Sequence, residues 1–167
     1  MPTQTLPTRS YKVHRVTLSV VREHDPLLRL SGRLKCNSPA ETVAIIRDLD
    51  LLPDEARERM ICLMLDAQNG LIGVHEVSVG TLSATLITPR EMFRAACVLP
   101  GVASLILAHN HPSGDPTASR EDHRLTRQLA DAGRLMDIKI HDHLILGDGP
   151  EGRYLSLFET APADFGG

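Results

Sequence analysis

The run Met60-Ile-Cys-Leu-Met-Leu65 is apolar at every position. A strand with one wet face alternates, so an unbroken run of this length predicts a strand covered on both faces. Ala103 to Ala108, apolar except for Ser104, predicts a second one that ends at a pair of histidines. Strands of this kind lie between layers of helices, and the rest of the chain supplies the helices.

Three segments carry helix starts. In Ser38-Pro39-Ala40-Glu41, Ser38 can cap, Pro39 suits the first helical position and Glu41 sits three past the cap. Val43, Ile46 and Leu49 then recur as a stripe that Pro53 is expected to stop. Thr88-Pro89-Arg90-Glu91 repeats the cap, with a helix predicted from Met92 to Leu99 and a stop at Pro100-Gly101. A third helix is predicted from Ser119 to about Leu135, with Leu125, Leu129 and Ala132 along one stripe.

Further strands are expected over Leu71–Val79, after the turn signal Asn69-Gly70, and over Ala84–Thr88, Ile138–Leu146 and Tyr154–Phe158. Tyr11–Glu23 is rich in β-branched residues and reads as an edge strand, with a turn at His24-Asp-Pro26 and a frayed arm over residues 1–9. This order predicts an α/β fold, an α+β sandwich with a mixed, mostly antiparallel sheet flanked by helices. One domain is expected over residues 38–160, with an N-terminal arm and edge strand over 1–37 and a C-terminal tail over 161–167.

Composition removes several function classes. A net charge of −3 leaves no basic excess to neutralise phosphates, which argues against a generic nucleic-acid binder. Aromatic residues are 3% of the chain, too few for base stacking to be a leading reading. No apolar run approaches the ~20 residues that cross a bilayer, and no signal-peptide core follows the polar start, so a soluble cytoplasmic protein is expected. Cys36, Cys62 and Cys97 are odd in number and widely spaced, and read as reduced, mostly buried thiols.

The chemistry concentrates in Leu105–Asp122. His109 and His111 are two apart, a spacing that puts both imidazoles on one side of a strand or its extended end. Neutral imidazole is a preferred zinc donor. If the third helix begins at Ser119, Asp122 lies on its inward stripe, three before Leu125 and seven before Leu129. A carboxylate there needs compensation, and a cation beside two histidines provides it. Two His and one Asp leave a fourth position for water, as in catalytic rather than structural zinc sites, with the bound water ionising at a pKa of roughly 7. Each piece has a plainer reading. His-x-His is common, Ser119-x-x-Asp122 alone is a capping box, and Pro112-Ser-Gly-Asp-Pro116 alone is a loop. The conjunction, in order, at the end of a buried strand is what points to metal.

His109-x-His111-Pro112, six residues, then Ser119-x-x-Asp122 resembles the JAMM motif of the JAB/MPN metallopeptidase family. His-Asn-His-Pro-Ser-Gly-Asp-Pro, Val77-Ser-Val-Gly-Thr81, Pro89-Arg90-Glu91 and Asp142-His143-Leu-Ile-Leu-Gly147 are similar to its RadC-like branch. The similarity runs from about Ser38 to Phe158. It implies the cytidine-deaminase-like MPN/JAB architecture, a zinc ion (Zn2+) held by His109, His111 and Asp122, and Ser119 steadying an oxyanion. It also implies a glutamate as general base from an earlier element. Glu58, in the pair Arg57-Glu58 ahead of the first apolar strand, fits the family pattern best, and Glu76 is the competitor. Without the helix-hairpin-helix region usual in longer members, the chain is expected to be a short, single-domain form.

His141, Asp142 and His143 form a second cluster, readable as a polar strand end or as support that orients a ligand imidazole. Alternation would put His141 and His143 on one face and Asp142 on the other. His14, His24, His75 and His123 read as surface residues, and Arg120, Arg124, Arg127 and Arg134 as a solvated helix face. The resemblance implies a zinc metallopeptidase acting on a protein or peptide substrate. The competing expectation is a DNA-repair or mobile-element accessory protein working without hydrolysis, against which the acidic balance counts.

Overall fold

The computed structural model describes residues 34–52, 57–79, 87–147 and 153–166. Its elements in chain order are α1 (Pro39–Asp48), β1 (Arg59–Leu65), β2 (Leu71–Val79), α2 (Pro89–Val98), β3 (Ser104–Asn110), α3 (Arg120–Met136), β4 (Lys139–Leu146), β5 (Tyr154–Ser156) and α4 (Leu157–Thr160). A 3₁₀ turn over Pro162–Phe165 follows. Among the described residues the strands form one sheet in the order β2-β1-β3-β4-β5. β3 and β4 pair in parallel, and the other three pairings are antiparallel. The mixed, mostly antiparallel sheet between helices is therefore present as expected.

The two apolar runs explain the layering. Every residue of β3 is buried, as is all of β1 after Arg59. Alternate side chains serve different cores. Ile61, Leu63, Leu65, Ile106, Ala108, Leu144 and Leu146 pack with Val43, Ile45 and Ile46 of α1. Met60, Cys62, Met64, Leu105, Leu107 and Ile140 pack with Met92, Phe93, Leu125 and Leu129 of α2 and α3. Fully burying one such side chain contributes roughly 1.5–3 kcal/mol, so β1 and β3 anchor both layers at once. The free thiols Cys36 and Cys62 lie in these cores, while Cys97 is exposed.

The three caps form as the sequence predicts. Ser38, Thr88 and Ser119 each sit at an N-cap in extended conformation and accept a hydrogen bond from the N–H three residues on. Helix α1 stops at Asp48, short of Pro53. The chain turns there through Asp50, whose φ of +50° is left-handed and ends the helical path. β3 runs two residues past Ala108, so His109 belongs to the strand rather than following it.

The expected last strand over Tyr154–Phe158 is shorter, because Ser156 caps α4 and turns the chain. The C-terminal stretch is tied to α3. Asp164 bonds His123 Nδ1 at 2.5 Å and Arg127 at 2.6 Å. His123, expected at the surface without a partner, is thus half-buried and paired. Arg127 and Arg134, the latter paired with Asp131, are engaged locally. The expected strand over Tyr11–Glu23, the turn at His24-Asp-Pro26, the arm over 1–9, Pro53 and most of Ala84–Thr88 lie outside the described residues. No helix among the described residues is long and apolar enough to cross a membrane.

Candidate metal centre

The site forms where β3 leaves the sheet and the chain crosses to the start of α3. His109, the penultimate residue of β3, is fully buried, and His111 lies one residue past the strand. Their Nε2 atoms face one another at 3.0 Å. Asp122, buried at the third position of α3, brings Oδ1 to 3.4 Å from His109 Nε2 and Oδ2 to 3.8 Å from His111 Nε2. Glu58, just ahead of β1, brings Oε1 to 3.9 Å from His109 Nε2 and 4.0 Å from His111 Nε2. Glu58, His109 and His111 each offer a donor atom within 4.8 Å of the others and can hold a metal ion as a group. Glu76 is on β2, exposed and ion-paired with Arg59. The structure thus brings Glu58, His109, His111, Ser119 and Asp122 to one place.

Hydrogen bonds decide which way the imidazole lone pairs point. His111 Nδ1 lies 2.8 Å from the Asp115 carbonyl, which only accepts, so Nδ1 carries the proton and Nε2 the lone pair. His109 is fixed through two further residues, His143 and Thr126. Thr126 Oγ1 donates its single proton to the Asp122 carbonyl at 2.7 Å. His143 Nδ1, 2.7 Å from that hydroxyl, must then donate to it, and His143 Nε2 is left as an acceptor. His109 Nδ1 donates to that acceptor at 2.9 Å, which leaves a lone pair on His109 Nε2. Two lone pairs and two carboxylates therefore converge. Donors about 2.0–2.1 Å from one tetrahedral ion stand roughly 3.3 Å apart, and the 3.0 and 3.4 Å spacings here suit that geometry. The donor set fits zinc.

His143 therefore holds the His109 imidazole from behind rather than ending the strand as a free polar group. The alternation expected for its neighbours is broken by a bulge. Leu105 pairs with Ile140 and Ile106 with Asp142, so His141 is the extra residue. Asp142 accepts from Ser156 Oγ at 2.7 Å, from the Phe158 N–H at 3.0 Å and from the His143 N–H at 2.6 Å. It fixes the β4–α4 junction and, through the backbone, His143. Thr126, which holds His143, is one residue of the site that sequence reading missed; its position one past Leu125, four after Asp122, was the available signal.

Asp122 has its own clamp. Oδ2 accepts from the Ser119 N–H at 2.7 Å and from Ser119 Oγ at 2.6 Å, which turns Oδ1 to His109. The one Ser119 hydroxyl proton is thus held by Asp122 in this arrangement. Pro112, Ser113, Glu121 and Leu125 complete an open cleft over Glu58, His111, Ser119 and Asp122.

The loop that delivers the Asp115 carbonyl rests on the end of β4 by backbone contact: a Cβ on Gly147 would stand 2.4 Å from the Gly114 oxygen and 2.9 Å from Pro116 Cδ. Gly147→Ala should push that loop away and weaken metal binding about 10- to 100-fold, as loss of an outer-shell partner does. Competition titration with a chelator measures it, and wild-type affinity would count against the loop's role.

The buried imidazoles also make stability depend on pH. Burial, with repulsion from His143 and His111, holds the His109 pKa well below its usual 6.5. Burial likewise brings His143 down to about 4. Both rings stay neutral in the folded chain where the unfolded chain takes up protons. Stability of the chelated protein should therefore fall as pH drops below the unfolded value of about 6.5, the His143 part until about pH 4. Denaturant unfolding between about pH 7 and about pH 5 should show this slope, and a flat profile would contradict it.

Against known proteins, the chain matches the family model of the RadC-like JAB domain over residues 36–162. It is 39% identical over 145 residues to a UPF0758 protein of Caldanaerobacter subterraneus, covering 83% of this chain and 60% of that protein. A UPF0758 protein of Thermosynechococcus vestitus is 46% identical over 126 residues, with coverages of 75% and 48%. One from Methanosarcina barkeri is 36% identical over 157 residues, with coverages of 90% and 67%. The chain spans about half to two-thirds of the length of these curated relatives.

Proposed function

The chain belongs to the family of RadC-like JAB domains, and from that premise we propose that it is a zinc-dependent peptidase hydrolysing a peptide or isopeptide bond in a protein or peptide substrate. The observation that carries this reading is the convergence of two imidazole lone pairs, fixed from behind, on a point flanked by two carboxylates.

In this reading His109, His111 and Asp122 hold the ion. Zinc bound there supplies Lewis acidity and lowers the pKa of a coordinated water to about 7. Glu58 lies slightly further from the histidines than Asp122 does, and its side chain is 25% exposed at the cleft against 8% for Asp122. That suits a proton carrier better than a ligand. Glu58 Oε1 takes a proton from the attacking water and returns it to the departing amine nitrogen. Ser119, once its hydroxyl leaves Asp122 Oδ2, donates to the oxygen on which negative charge develops. Pro112, Ser113, Glu121 and Leu125 bear on the chain either side of the scissile bond.

The test is metal analysis with a peptide-library screen on the purified protein. About one zinc per chain is expected, with cleavage that a chelator stops and zinc restores. Cleavage indifferent to chelation, or none in a zinc-loaded sample, would sink the reading.

A further inference from the structure

Asn110 lies between the two histidines, and its carboxamide reaches across to β1. The antiparallel ladder of β1 and β3 runs from Leu65 opposite Ser104 to Met60 opposite His109. At the next position a side chain takes over the pairing. Asn110 Oδ1 accepts from the Arg59 N–H at 2.8 Å, and Nδ2 donates to the Arg57 carbonyl at 3.0 Å. These are the peptide groups on either side of Glu58. Asn110 is 8% exposed, so both bonds are largely shielded from water.

We propose that Asn110 is the positioning residue for Glu58: its carboxamide fixes the backbone that carries the carboxylate, so that Oε1 is presented to His109 and His111. This rests on the reading of Glu58 as the proton carrier. The chemistry explains the residue type. A carboxamide offers a donor and an acceptor in one plane, matching a carbonyl and an N–H that point the same way from an extended chain. Aspartate has the acceptor but no donor, and alanine has neither. One residue between two candidate ligands thereby sets the distance from the histidines to a group about fifty positions earlier in the chain. A misplacement of about 1 Å in such a group can cost about 100-fold in rate.

Cobalt(II) serves as the probe, because its visible spectrum reports the surroundings of the ion without turnover. In the cobalt-loaded protein, Glu58→Gln should move the midpoint of the spectral pH profile by about one unit or more. Asn110→Ala should move it in the same direction with cobalt uptake intact. On a peptide selected from the library screen, Asn110→Ala should lower kcat about 10- to 100-fold with KM little changed. Added to Glu58→Gln it should do nothing further, since it acts only through that residue.

Asn110→Asp keeps the Arg59 bond, sets a carboxylate against the Arg57 carbonyl and should resemble Asn110→Ala. If Asn110→Ala does not fold, Asn110→Ser carries the same comparison. A wild-type pH profile in the Asn110 variants, or a kcat loss that adds to that of Glu58→Gln, overturns the inference and leaves the metal reading standing. Failure of the wild type to take up cobalt overturns both.

Discussion

Replacing His109 with alanine is expected to reduce bound zinc from about one per chain to near zero, the largest single effect available in this molecule. His109 is 0% exposed, and its Nε2 is the donor to which both His111 and Asp122 come closest. Without it, the His111 imidazole, 16% exposed, and a carboxylate remain, too few for a dry tetrahedral site. The loss also reaches backwards. His143 Nε2 would keep no donor in a fully buried position, which costs about 1–3 kcal/mol in the chelated protein. Plasma mass spectrometry gives the first quantity and denaturant unfolding the second. Full zinc retention in this variant would remove His109 from the ligand set and leave the arrangement at β3 without its proposed purpose.

Glu58→Gln is the complementary experiment: metal content should stay at about one per chain while turnover falls about 100- to 10,000-fold, the range of a general base. Glutamine preserves shape and hydrogen bonding but cannot accept and return a proton. Because Glu58 Oε1 stands 3.9 and 4.0 Å from the imidazole nitrogens, it can also be read as a ligand with them, and the two roles separate here. A ligand role would cost metal; a carrier role costs rate alone. Unchanged turnover would move the base elsewhere, although Glu76, paired with Arg59, is poorly placed to replace it.

Much of this was legible in the chain because the physics is local. Met60–Leu65 had to be covered on both faces, and Ser38, Thr88 and Ser119 each carried a complete cap within four residues. Asp122 could be aimed inward from its spacing to Leu125 and Leu129, both now buried with it. What escaped was tertiary. The bulge at His141 changes which side of β4 each later residue faces, and no pattern in Lys139–Leu146 announces it. Thr126 looked like a neutral helix residue until His143 arrived from another strand. Asn110 looked like a spacer between histidines, because its partners lie 51 and 53 positions away. Asp164 read as part of a tail for the same reason: the groups that hold it are on α3.

The two apolar clusters, one on each side of the sheet, include none of the polar side chains that converge on the site, and Leu125 is shared between core and cleft. Shape and the proposed reactivity therefore rest on largely different residues in this chain. On the proposed reading, a single base change such as that giving Glu58→Gln would silence the chemistry while the scaffold goes on folding, and such a copy would remain one substitution from being restored. Descent from such a chain need not preserve the proposed activity. It can equally yield a body of the same outline, recruited for what it touches.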